Sequence, residues 1–75
     1  MLLREFAIEN HTISLIQEGE IYTAKVTNKN GEKLFYHEYK DYEKIKGCFD
    51  EIVQAIESNE ADITNVIGIL EKSTV

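Results

Sequence analysis

The chain has no proline and no tryptophan, and only one cysteine and four glycines among its 75 residues. Without proline nothing removes a backbone donor from a helix or strand, so breaks must come from glycine, asparagine and paired polar residues. The single cysteine, Cys48, excludes an internal disulfide, and no metal-ligand or redox spacing surrounds it. Basic residues are scarce, 8 against 14 acidic, giving a formal charge of -6. That sign opposes a phosphate backbone, whose attraction for proteins depends on accumulated Lys and Arg, and it opposes an anionic membrane surface. Direct nucleic-acid binding is therefore disfavoured. Long apolar runs are missing too: no window approaches a membrane span, and the opening MLLREFAIEN lacks the apolar stretch of a secretory signal. The expected setting is the cytoplasm. No linker or low-complexity tract interrupts the chain, which predicts one domain over 1–75. A chain this short buries only roughly 60 to 65% of its unfolded surface, so self-association is a reasonable expectation.

What is present is organised around Glu20 to Tyr39. IYTAKV and KLFYHEY alternate like strands on either side of Asn30-Gly31, a pair suited to a type I′ turn because both central positions need φ > 0. With those two residues as the loop, Lys29 faces Glu32, Val26 faces Phe35, Ala24 faces His37 and Tyr22 faces Tyr39. The same alternation precedes it. A turn at Asn10-His11 sets Ile8 against Ile13 and Phe6 against Leu15; a turn at Glu18-Gly19 sets Leu15 against Tyr22, Ile13 against Ala24 and Ile16 against Ile21. The strand period of two then gathers Phe6, Ile8, Ile13, Leu15, Tyr22, Ala24, Val26, Phe35, His37 and Tyr39 on one face. A competing reading makes residues 2–9 a short helix or an extended arm, since Leu2, Leu3 and Phe6 also fit helical spacing.

A cover for that face follows. Asp41 is placed to cap a helix over about residues 42–57, whose apolar stripe is Tyr42, Ile45, Phe49, Ile52, Val53 and Ile56, with Cys48 and Ala55 on its flank. Gly47 in the middle marks either close packing or a tolerated weakness. Ile63, Val66, Ile67 and Leu70 again recur at helical spacing after Asn59 or Asp62 as cap, predicting a short C-terminal helix from about Glu60 to Glu71. Its β-branched residues and Gly68 leave a C-terminal strand as the alternative. The last four residues are expected to be loose. The expected fold is thus α+β: a four-stranded antiparallel meander covered by an amphipathic helix.

Chemistry finds little purchase. His37 on the inner face has the pKa range of a general base, but a half-buried histidine needs a hydrogen-bond partner whether or not it reacts. His11 belongs to a turn. Cys48 needs a depressed pKa to act as a nucleophile; it lies two turns into its helix, beyond the useful reach of the terminus, and Lys44 is the cation nearest in sequence on that side. Asp50 and Glu51 are adjacent and diverge, and no oxygen-ligand spacing of a calcium loop occurs. No catalytic, cofactor or metal residue is assigned, and no cofactor is implied.

The outer face of the meander is more suggestive. Ile16, Ile21, Leu34 and Tyr36 share it with Thr23, Lys25 and Glu38, and a tyrosine among aliphatic side chains with a polar rim is a common interface composition. These four are the candidate interface residues. The function expected is that of a small acidic protein-binding module, a regulator, inhibitor or accessory subunit, with a protein partner or a homo-oligomer as its target. The alternatives are an acidic mimic of nucleic acid and, third, a small enzyme using His37 or Cys48.

Overall fold

The structure, a computed structural model, describes residues 1–74. Strands β1 (Leu2–Ile8), β2 (His11–Glu18), β3 (Ile21–Thr27) and β4 (Lys33–Tyr39) precede helices α1 (Tyr42–Glu57) and α2 (Ile63–Lys72). The strands form one antiparallel sheet in chain order. This is the α+β meander expected, and residues 2–8 are strand, neither helix nor free arm. The C-terminal segment is helical, not a fifth strand. Asp62 caps it by accepting a hydrogen bond from Asn65 N at 2.8 Å, and Val66 and Leu70 are fully buried, so packing of the apolar stripe outweighs the modest propensity cost of β-branching.

The strand faces are as the alternation predicts, but the first two turns sit one residue away from the expected places. Glu9 and Asn10, both with positive φ (50° and 65°), make the first turn, so Ile8 faces His11 and Phe6 faces Ile13. His11 Nδ1 lies 2.7 Å from Glu9 O, fixing the ring to the turn. The second turn is Gly19-Glu20, with glycine (φ 62°) first as a type II′ turn prefers. Leu15 therefore faces Ala24, Ile13 faces Val26, and Gln17 faces Tyr22. Ile16 and Ile21 are not opposite one another; their partners are Thr23 and Glu18. Each change slips the register by two residues, which preserves every face.

The third loop departs differently. Asn30 does not take positive φ, whereas Gly31 does (82°), and Asn28, not Lys29, pairs with Glu32 through an N–H···O bond of 3.0 Å. Lys29, Asn30 and Gly31 thus form a three-residue loop closed by glycine. The Asn28 side chain holds it, accepting from Asn30 N at 2.9 Å and Glu32 N at 3.0 Å. One residue gained in the loop is offset by a register shift between Val26 and Thr27, after which Val26 faces Phe35 and Tyr22 faces Tyr39 as expected. Leu34 is the residue left over at that shift. A second irregularity at Leu3 in β1 leaves Leu2 opposite Ile16 and Arg4 opposite Leu15. Leu2 consequently turns to the outer face while Leu3 packs against the core.

Ile13, Leu15, Ala24, Val26 and Tyr39 of the sheet meet Ile45, Cys48, Phe49 and Ile52 of α1 and Val66 and Leu70 of α2 in one buried cluster. Both helices therefore lie on the inner face. Asp41 caps α1 through Glu43 N at 3.0 Å. Two expectations for α1 change: Cys48 is core (7% exposed) and not flank, because α2 packs beside it, while Tyr42 and Ile56 at the helix ends are more than a third exposed. Gly47 meets nothing where a Cβ would stand, so it is a tolerated weakness. Helix α2 is tied at both ends. Glu9 Oε1 accepts from Ile63 N at 2.7 Å, which puts a carboxylate at the positive helix end and gives Glu9 a reason to hold its unusual backbone. The Tyr39 hydroxyl and Ser73 Oγ are 2.6 Å apart. The C-terminal residues thus have a packing role through Ser73, and Thr74 Oγ1 donates to Glu71 O at 2.8 Å; Val75 lies outside the described residues. Among the described residues no helix is long and apolar enough to cross a membrane.

Candidate functional site

His37 and Cys48 flank the same tyrosine on the inner side of the sheet. The His37 ring meets Tyr39 edge-on at 4.7 Å between centroids. Cys48 donates through Sγ to Ile69 O at 3.6 Å. Burial pushes its thiol pKa up, against a smaller lowering by a hydrogen bond with Ser73, while Lys72 of α2 supplies the favourable cation and Glu51 opposes it. A raised pKa keeps the sulfur protonated and weakly nucleophilic near neutrality. Burial raises the Tyr39 phenol as well, partly offset by Ser73. Tyr39, Ser73 and Cys48 make a hydrogen-bonded core corner, and among the described residues no buried side-chain nitrogen or oxygen lacks a partner. Nor do three His, Cys, Asp or Glu side chains among them cluster as a metal site.

Two surface concavities remain. A groove of about 600 Å³ runs between α1 and α2, lined by Glu51, Gln54, Ala55, Ser58, Glu60, Thr64, Asn65, Gly68, Ile69 and Lys72. Its wall is mostly amide, hydroxyl and carboxylate, and Lys72 Nζ reaches Glu51 Oε2 at 3.6 Å. Asp50 on α1 is engaged by Lys46 at 3.0 Å and by Arg4 of β1 at 3.7 Å. These exposed pairs contribute little stability, but they neutralise part of the helical carboxylate charge.

The second concavity, about 330 Å³, lies on the outer face of the sheet and is lined by Ile16, Glu18, Ile21, Thr23, Lys25, Lys33, Tyr36 and Glu38. Three of the four candidate interface residues meet here: Ile16, Ile21 and Tyr36. Leu34 does not join the lining. The register shift beside it moves Lys33 into the outward series, opposite Thr27, and Lys33 Nζ sits 4.8 Å from the Tyr36 ring centre, a favourable cation-on-ring contact.

The strand pairing fixes how the outer face is laid out. Leu2, Ile16, Thr23 and Glu38 form one cross-strand row; Glu5, Ser14, Lys25 and Tyr36 form the next; Glu18 and Ile21 lie beyond the first. Tyr36 is 50% exposed and Leu2 52%, so the apolar groups at both ends of this surface face outward. Ser14 is 5% exposed despite its outward position, walled by the longer residues Glu5 and Lys25 that pair with it. The sequence reading missed Leu2 and Lys33. Each enters the face through a strand irregularity, a feature with no signature in simple alternation. Glu5, Glu18 and Glu38 set against Lys25 and Lys33 leave this face one net negative charge of the chain's six. The acidic excess therefore lies mainly on the helices and loops. Compared with known proteins, the chain matches no family model, no curated protein and no solved structure.

Proposed function

We propose that this chain is a small protein-binding module that docks through the outer face of its sheet. The observation that carries this reading is that both helices pack on the inner face, leaving Ile16, Ile21 and Tyr36 around a concavity of the outer face and Leu2 exposed on the same face. Ile16, Ile21 and Tyr36 line one concavity together with Lys25, Lys33, Glu18 and Glu38, a mixture of aromatic, aliphatic and charged groups of the kind protein interfaces use. The low net charge of this face suits contact with a folded protein surface. An acidic nucleic-acid mimic would use the helical side instead, where pairing with Lys46, Lys72 and Arg4 reduces the available negative charge. Catalysis by Cys48 meets the obstacle of a thiol held protonated by burial.

Site-specific photo-crosslinking tests the reading. A photoreactive phenylalanine analogue at Tyr36 should capture protein, and the yield should fall at least tenfold when Ile21→Lys is added to the folded chain. The same analogue at Gln54, in the groove between the helices, serves as the reference. Equal capture from both positions, or capture at Tyr36 that ignores Ile21→Lys, overturns the outer face as the docking surface.

A further inference from the structure

Three observations bear on what covers the outer face. First, both edge strands carry irregularities, at Leu3 in β1 and at Leu34 in β4. Bulges at sheet edges disrupt the row of unpaired backbone groups and discourage strand addition. A partner is thereby directed away from the edges and onto a face. Second, the outer face is close to neutral and carries both signs, whereas the whole chain is at -6. A partner selected for basic character would meet its complement on the loops and α1, not here; a surface bearing Lys25 and Lys33 as well as Glu5, Glu18 and Glu38 can oppose itself without concentrating like charge.

Third, the area is adequate. Four strands spaced by roughly 4.8 Å, each rising about 3.4 Å per residue over about seven residues, present a face of roughly 450 Å². Two such faces bury about 900 Å² in projection and more once side-chain relief is included, which reaches the lower range of specific interfaces at about 1,000 to 1,200 Å². Sheets pack face to face at about 10 Å separation, and the short Thr23 in the lining leaves room for Ile16, Ile21 and Tyr36 of an opposing sheet to enter the 330 Å³ concavity.

We infer that the occupant of this face is a second copy of the chain, two sheets packed outer face to outer face about a two-fold axis. The inference rests on the docking reading above and names its partner. A two-fold contact is self-complementary: the patch that supplies Tyr36 also receives the partner's tyrosine. The helices then point away from one another on the outside of a four-layer dimer, and most of the negative charge, on the loops and α1, stays off the contact.

Sedimentation of the purified chain at increasing concentration, together with amide spectra recorded on dilution, tests this. The mass should double at submillimolar concentration, and the amides of Ile16, Ile21, Lys25 and Tyr36 should shift on dilution while those of Gln54 and Asn65 stay fixed. Adding salt should tighten association several-fold, because residual repulsion between two acidic bodies is screened. Tyr36→Glu with Ile21→Lys should abolish the dimer; Thr23→Arg, which keeps both apolar groups, provides a second disruption if the double variant unfolds. A chain that stays single up to millimolar concentration with no shifting amides overturns the second copy as occupant, and crosslinks to another protein from Tyr36 would still sustain the docking face. A dimer whose shifting amides lie on the helices or along β4's edge overturns both.

Discussion

Replacing Ile52 with alanine removes a methyl and an ethyl group from a side chain that is 0% exposed and sits between α1 and the sheet. At roughly 0.8 kcal/mol per buried carbon the transfer loss is about 2.4 kcal/mol. A residual cavity of about 50 Å³, at roughly 24 cal/mol per Å³, adds about 1.2 kcal/mol. Alanine's better helix propensity offsets up to about 0.5 kcal/mol, leaving a net destabilisation of about 3 kcal/mol. A 75-residue domain has a total stability of roughly 4 to 11 kcal/mol, so the variant should remain folded or nearly so. Its melting temperature should drop by about 12 to 24 °C. Urea unfolding followed by far-UV circular dichroism gives the quantity directly: the midpoint should fall while the slope stays unchanged. A loss below about 1 kcal/mol with unchanged slope would refute the packing of α1 through Ile52.

Gly47→Ala should stabilise the chain by about 0.5 to 1 kcal/mol, since open space surrounds its position in the helix and alanine propagates helix better; chemical denaturation measures it. Gly31→Ala should cost about 1 to 2 kcal/mol for a side chain forced to φ 82°, whereas Asn30→Ala should cost less than about 0.5 kcal/mol, a contrast that an Asn-Gly type I′ turn would not produce. Cys48 and Tyr39 both have folded pKa values raised above their ordinary 9.0 and 10.0. The stability they contribute is fully present below those ordinary values and is lost as pH rises through them towards the folded values, so unfolding midpoints should be flat near neutrality and fall above about pH 9, less so in Tyr39→Phe. Thiol labelling of Cys48 at neutral pH should be slow and should accelerate in urea alongside unfolding.

The sheet was legible in the sequence where one constraint dominates and illegible where two solutions satisfy it equally. Alternation assigns Ile13, Leu15, Ala24 and Val26 to one face, and a slip of one residue would reverse them, so the face is strongly determined. A slip of two leaves the face untouched; that is why Leu15 could be matched to Tyr22 in place of Ala24 without any conflict of pattern. The choice depends on which residues accept positive φ. Glu9 does so because α2, 54 residues later, places the Ile63 N–H against its carboxylate, a tertiary reason invisible locally. Asn30 was the converse case: its side chain suits the left-handed region, yet the hydrogen bonds of Asn28 favour a longer loop in which glycine alone takes it. Cys48 lies on the flank of the α1 stripe that faces the sheet, and α2 widens the buried arc to include it. At the candidate surface, Ile16, Ile21 and Tyr36 were readable from period two, while Leu34 and Lys33 exchanged positions at an irregularity that leaves the composition unchanged.

The clamping of α2 at Glu9 and at Tyr39 has a kinetic consequence. Every turn of the meander and the step into α1 joins neighbours in the chain, so those contacts can form within the microsecond scale of hairpins and short helices. Ile63 and Ser73 must instead close loops back to Glu9 of the first turn and Tyr39 of β4, which carries a larger entropic cost before any contact repays it. During synthesis the inner face of the sheet therefore waits, half roofed by α1, until α2 emerges. With no proline to isomerise in these elements, the docking of α2 is the natural slow event, and the lifetime of the half-roofed state sets how long Ile13, Leu15 and Val26 are open to the wrong neighbours.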